Sequence, residues 1–212
     1  MGYSTPGADD LLPPDALRMP VERVVSVLRE RHGDRVDAAL LHEEASPGPI
    51  ADHESSGWLT RTRMIGINVR TVGSFWRVVH YLLTVPTVYD SVHLLPIWEP
   101  GVVGSLYGIA SWEINPEFLD DELASLYPML GTPESQLRAV VDLLHLTGRA
   151  VGLDVIPHTD RYSQIVLAQP HYFEWLRRRG TRIVDHRADL HEEVMDAIYD
   201  WLEESDTAEN AL

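Results

Sequence analysis

Residues 132–160 read TPESQLRAVVDLLHLTGRAVGLDVIPHTD, and this stretch decides the class of fold. Thr132 suits a helix N-cap, Pro133 suits the first helical position, and Ser135 and Gln136 follow in the first turn. Leu137, Val140, Val141, Leu144 and His145 recur at helical spacing, which predicts a helix over residues 132–146 with one buried stripe. Gly148 supplies the stop. Residues 150–156, AVGLDVI, are then short and apolar, the composition of a parallel strand covered on both faces. Asp154 stands near its end, and Pro157, His158, Thr159 and Asp160 follow at once. Polar residues at the carboxyl end of a parallel strand lie where the sites of α/β folds are built.

The same alternation extends toward the N-terminus. Residues 64–69, MIGINV, read as a strand, and residues 75–83, FWRVVHYLL, as the helix behind it with Ser74 as cap. Residues 92–98, VHLLPIW, form a second apolar strand, and a long irregular connection is expected over 99–131. Strands alternating with helices predict an α/β fold with a parallel sheet. Before it, Val24, Val25, Leu28, Val36, Leu40 and Leu41 suit one helix over residues 21–44, or a pair broken near Gly33, and residues 45–57 are loop by composition. After it, residues 170–179 and 188–204 read as helices, the second burying Leu190, Val194, Ile198, Trp201 and Leu202, with a short strand over 182–184.

Composition narrows the partners. The 212 residues carry 33 acidic against 17 basic side chains, every basic one Arg, for a net charge of −16. Such a field repels nucleic acid and anionic membrane surfaces. The absence of cysteine excludes disulfides and thiolate metal sites. Residues 1–12 lack the pattern of a secretory signal, and no run approaches the roughly 18 to 20 apolar residues of a membrane span. A cytoplasmic protein is expected.

Four stretches in order resemble the alpha-amylase family of glycoside hydrolases. Residues 92–98 are similar to the family's second strand, which ends in a Pro-Ile or Pro-Phe pair; residues 105–108, SLYG, and 114–118, INPEF, resemble its long second loop. Leu130-Gly-Thr132 with His145-Leu-Thr-Gly148 matches a Leu-Gly-Thr, helix, His-x-x-Gly run, and residues 151–158, VGLDVIPH, resemble the family's third-strand block. The resemblance implies a (β/α)8 barrel. A full barrel takes about 250 residues, and space for about three βα units is legible, so the expected fold is a partial TIM-type (β/α) barrel. It would span residues 61–169, between an N-terminal extension over 1–60 and C-terminal helices over 170–212.

In that family a nucleophile, an acid and a third carboxylate follow the fourth, fifth and seventh strands, in the retaining geometry of two opposed carboxyl groups. No catalytic residue is therefore expected here. The expectation is a fragment or degenerate member, inactive alone, whose partner would be an α-glucan or small α-glucoside. The alternatives are a non-catalytic carbohydrate-binding or assembly module on a half-barrel, and an unrelated barrel hydrolase using Asp154 and His158. A three-stranded sheet leaves an open edge, which favours self-association or cover by the remainder of a barrel.

The resemblance points to Tyr107 as a stacking platform and to Asp154 and His158 as groups that hold sugar hydroxyls; packing, a turn cap and a bond to Asp160 are their structural readings. Trp98, Trp112 and Trp175 are further stacking candidates, with packing the commoner role. No cofactor is expected. The family's structural calcium would bind through an Asn that precedes its His; here Pro157 precedes His158, so either the Asn is deleted or His158 and Thr159 replace the Asn-His pair. His186 and His191 are five apart rather than four, which argues against a helical metal site, and Gly101 and Gly104 lack the third Gly of a phosphate loop.

Overall fold

Thr132 opens its helix as its position requires: its hydroxyl accepts from Ser135 N–H while the Ser135 hydroxyl accepts from Thr132 N–H, a reciprocal capping box with Pro133 behind it. A computed structural model of the chain describes residues 11–41, 46–50, 56–58, 60–156, 159, 163, 166, 168, 176–179, 182–185, 195–196 and 198–200. These divide into two units, residues 1–99 with 112–157, and residues 100–111 with 158–212.

In the first unit, helices α1 (Pro13–Leu17), α2 (Val21–His32) and α3 (Arg35–Leu40) precede strand β1 (Met64–Ile67). The helix pair breaks at Gly33, whose φ of 64° favours glycine. After β1 come α4 (Val69–Val72), α5 (Phe75–Leu82) and β2 (Ser91–Leu94). Strands β3 (Trp98–Pro100) and β4 (Ile109–Ile114), whose residues are shared between the two units, pair as a ribbon, and α6 (Asp121–Leu126), α7 (Pro133–Leu146) and β5 (Ala150–Leu153) follow in the first unit. Strands β1, β2 and β5 form one parallel sheet in that spatial order, with Ile67, Leu94 and Leu153 level at its carboxyl end.

Each new strand adds beside the last. With right-handed crossovers this puts both connecting helices on one face, and α5 and α7 do pack against each other. Ile67, Val92 and Leu94 share one side of the sheet and are buried, as are Phe75, Trp76, Val78, Val79 and Leu82 of α5 and Ala139, Val140, Leu143 and Leu144 of α7. Phe75 meets Phe118 edge to face at 5.5 Å. The N-terminal helices complete this layer, α1 against α5 and α3 against α7. A mixed α/β fold with a three-stranded parallel sheet is thus the architecture among the described residues.

Several elements depart from the sequence reading. The buried face of α7 centres on Gln136, Ala139, Val140, Leu143 and Leu144, while Leu137, Val141 and His145 are only half-buried, because the helix packs against both α5 and α3. The connection over 99–131 holds the β3/β4 ribbon and α6 instead of irregular chain. In the second unit residues 176–179, read as the end of a helix, form β6 (Leu176–Arg179), antiparallel to β7 (Arg182–Asp185). The short strand expected at 182–184 is therefore present with a partner. Residues 195–196 and 198–200 are helical, but Ile198, expected on a buried face, is exposed. Among the described residues no helix is long and apolar enough to cross a membrane.

Candidate functional site at the carboxyl end of the sheet

Gly66, His93 and Gly152 are level across the three strands, so they share one face. Period-two alternation puts it opposite the face that buries Ile67, Val92 and Leu94. The row is therefore a single imidazole between two residues with no side chain. A Cβ added at Gly66 would meet nothing within 4 Å, whereas one at Gly152 would lie 3.1 Å from His93 Nδ1. The imidazole thus lies over β5, in space that only glycine leaves, and the β1 side of the row is open.

From there His93 reaches the strand end. Its Nε2 is 3.9 Å from Oδ2 of Asp154, with 31% of the His side chain and 29% of the Asp side chain exposed. That separation is too long for a direct hydrogen bond and suits a bridging group. A hydroxyl can accept from an imidazole N–H and donate to a carboxylate at once. Asp154 is fixed from both sides of its backbone: its N–H donates to Leu94 C=O at 3.1 Å, and its C=O accepts from Trp98 Nε1 at 2.9 Å. The Trp98 indole, half-buried, is thereby tied by its edge to the end of β5.

Of the residues expected to form a site, Asp154 stands at the end of β5 as anticipated, and Trp98 is brought to it. Tyr107 belongs to the second unit, where it is 50% exposed and its N–H donates to the Ser105 hydroxyl at 3.2 Å. Trp112, at the middle of β4, is exposed. Gly101 and Gly104 form a turn, Gly104 N–H donating to Gly101 C=O with φ of 72° at Gly104. His158, Asp160, Trp175, His186 and His191 lie outside the described residues.

His93 was not singled out in the sequence. It sits inside β2 between Val92 and Leu94, and the available signal was its register with glycines in two neighbouring strands. Among the described residues no group of three or more His, Asp or Glu side chains is arranged to hold a metal ion. No protein-family model matches the chain, and no curated protein is similar to it.

Proposed function

We propose that the chain binds an α-glucan or small α-glucoside at the carboxyl end of the β1-β2-β5 sheet, as a fragment or degenerate member of an alpha-amylase-like fold, and does not cleave it alone. The observation that carries this reading is the His93–Asp154 pair, separated by 3.9 Å and suited to one bridging hydroxyl. The sequential strand order is also the order of a (β/α) barrel, and Asp154 occupies the strand end where such folds build their sites. The three strands correspond, in the resemblance, to the first three of that barrel. The family's catalytic carboxylates follow later strands, so binding without hydrolysis is the activity these residues support. Trp98 would add apolar surface for a pyranose ring.

Titration calorimetry with maltoheptaose, sucrose and trehalose tests it. At least one sugar should give saturable heat, weakened about tenfold or more by Asp154→Asn and by His93→Ala, the loss of roughly 1.4 kcal/mol or more per charge-assisted bond. Reducing-sugar assays should show no product. Absence of binding by every sugar, or binding unchanged in both variants, would defeat the proposal.

A second reading, an assembly module on a half-barrel, is favoured by one feature. Strand β5 is one of the two outer strands of the described sheet, and just there Leu153 and Val155 are 39% and 66% exposed, as an edge awaiting cover would be. Light scattering coupled to size exclusion distinguishes the two, since a defined oligomer lost on Val155→Lys supports assembly and a monomer that binds sugar supports the first reading.

A further inference from the structure

A cavity of about 590 Å³ lies at the opposite end of the sheet from Asp154, beside the chain that enters β2 and β5. Its walls are mainly Leu28 of α2, Leu82 of α5, and Leu143 and Leu144 of α7, with Arg31 and Arg149 at the lining. That volume is in the range of small-ligand sites, roughly 300–1,000 Å³, as is the mixture of apolar walls with a few polar groups.

The charge of the lining is the unexpected feature. In a chain with 33 acidic and 17 basic residues, the cavity is lined by Arg31, His32 and Arg149 and, among the described residues, by no Asp or Glu. Arg149 is buried, and it donates only to neutral acceptors: Nε to Tyr89 C=O at 3.2 Å, Nη1 to the Thr147 hydroxyl at 3.1 Å and Nη2 to Val85 C=O at 3.1 Å. These bonds use three of its five N–H donors, leaving one on each terminal nitrogen. They explain how Arg149 tidies the carbonyls after α5 but not its lack of a counter-charge. Arg31 has no ion pair among the described residues, and its field acts on both neighbours, adding to burial in pulling the His32 and Arg149 pKa values down. A buried guanidinium with no counter-charge among the described residues is costly, the more so beside a second Arg, and an anion in the cavity would offset that cost.

We propose that this cavity binds a small amphiphilic anion, an apolar body carrying one carboxylate or phosphate, with its head between Arg31 and Arg149 and its body against Leu28, Leu82 and Leu144. Arg supplies planar paired donors that suit either head group. The site is separate from the sugar site proposed above and stands whether or not that reading holds.

The test is calorimetry on the full chain with octanoate, octyl phosphate, octanol and inorganic phosphate. Octanoate or octyl phosphate should bind one per chain, and the tighter of the two identifies the head group. Octanol should bind at least tenfold more weakly, and inorganic phosphate should give no saturable heat. Arg31 is exposed on α2, so Arg31→Gln keeps the fold, checked by circular dichroism, and should weaken the anions about tenfold while leaving octanol unchanged. Octanol binding as tightly as octanoate, an Arg31→Gln variant that binds the anions normally, or no saturable binding by either anion would overturn the proposal.

Discussion

The Gln136 side chain and the Asp120 backbone close a ring of two hydrogen bonds, Asp120 N–H donating to Gln136 Oε1 and Gln136 Nε2 donating to Asp120 C=O, each at 2.8 Å. The same Nε2 also donates to Leu130 C=O at 3.0 Å. Asp120 in turn accepts from the Ser74 hydroxyl and Leu123 N–H and lies 3.4 Å from Arg77 Nε. One fully buried carboxamide thus joins α7 to the cap of α6, and through Asp120 to the cap of α5. Gln136→Leu keeps the volume but leaves the Asp120 N–H and the Leu130 C=O unmatched, while the Asp120 C=O keeps Ala124 N–H. At about 1–3 kcal/mol for an orphaned group, with partial relaxation, the loss should be about 3 kcal/mol, read from urea unfolding; a loss under about 1 kcal/mol would show the ring to be dispensable.

His80 sets an acid limit on stability. It is fully buried on α5, its Nδ1 lies 3.0 Å from Ala16 C=O, and its Nε2 has no hydrogen-bond partner among the described residues. Because Arg77 already donates to Leu17 and Met19 C=O, the neutral ring carries its proton on Nδ1 and gives it to Ala16. Burial, then the nearby Arg77 charge, pushes the imidazole pKa down to about 4 from its ordinary 6.5. The unfolded chain therefore binds more protons between these values. Stability from this group is complete above about pH 6.5 and falls as pH drops toward about 4, by up to about 3 kcal/mol. Unfolding free energies of the chain and of His80→Gln should converge over that window; a constant difference would exclude His80 as the cause.

How much of this could be read from the sequence depended on how local the cause was. The span from Thr132 to Leu153 was legible because cap, proline, periodicity, glycine stop and apolar strand all act within a few residues. The break at Gly33 was legible for the same reason. The phase of α7 was not, because Gln136 is buried by bonds to residues 16 positions earlier and six earlier in the chain, and a polar side chain does not look like core. The β3/β4 ribbon was hidden by a run rich in Gly and Pro, and the strand Leu176–Arg179 by three consecutive arginines that favour helix as readily as sheet. Asp154 was legible at a strand end, while His93 became a candidate only once the register set it between two glycines.

Thr132 offers a test of local helix stability separate from the core. Its cap bonds are exposed, so Thr132→Ala should lower stability by about 1 kcal/mol through loss of the side-chain acceptor. Thr132→Ser, which keeps the hydroxyl, should remain within a few tenths of a kcal/mol. Thermal unfolding of the pair makes the comparison, and equal losses would assign the effect to the methyl group instead of the cap.

Gly152 should control the proposed sugar site without controlling the fold. A methyl there would sit 3.1 Å from His93 Nδ1, and the backbone does not have the positive φ that would make any side chain strained. The imidazole must therefore move, and the 3.9 Å gap to Asp154 changes with it. Gly152→Ala should shift the His93 ring resonances and weaken α-glucoside binding about tenfold, with unfolding free energy changed by less than about 1 kcal/mol, since the adjustment is confined to one partly exposed ring. Gly66→Ala is the matched control: its methyl meets nothing within 4 Å, so the His93 resonances should stay in place. If both substitutions leave the ring signals and the binding unchanged, His93 does not position a sugar hydroxyl. If Gly152→Ala alone moves the ring and binding is retained, the ligand is held by Asp154 without the imidazole.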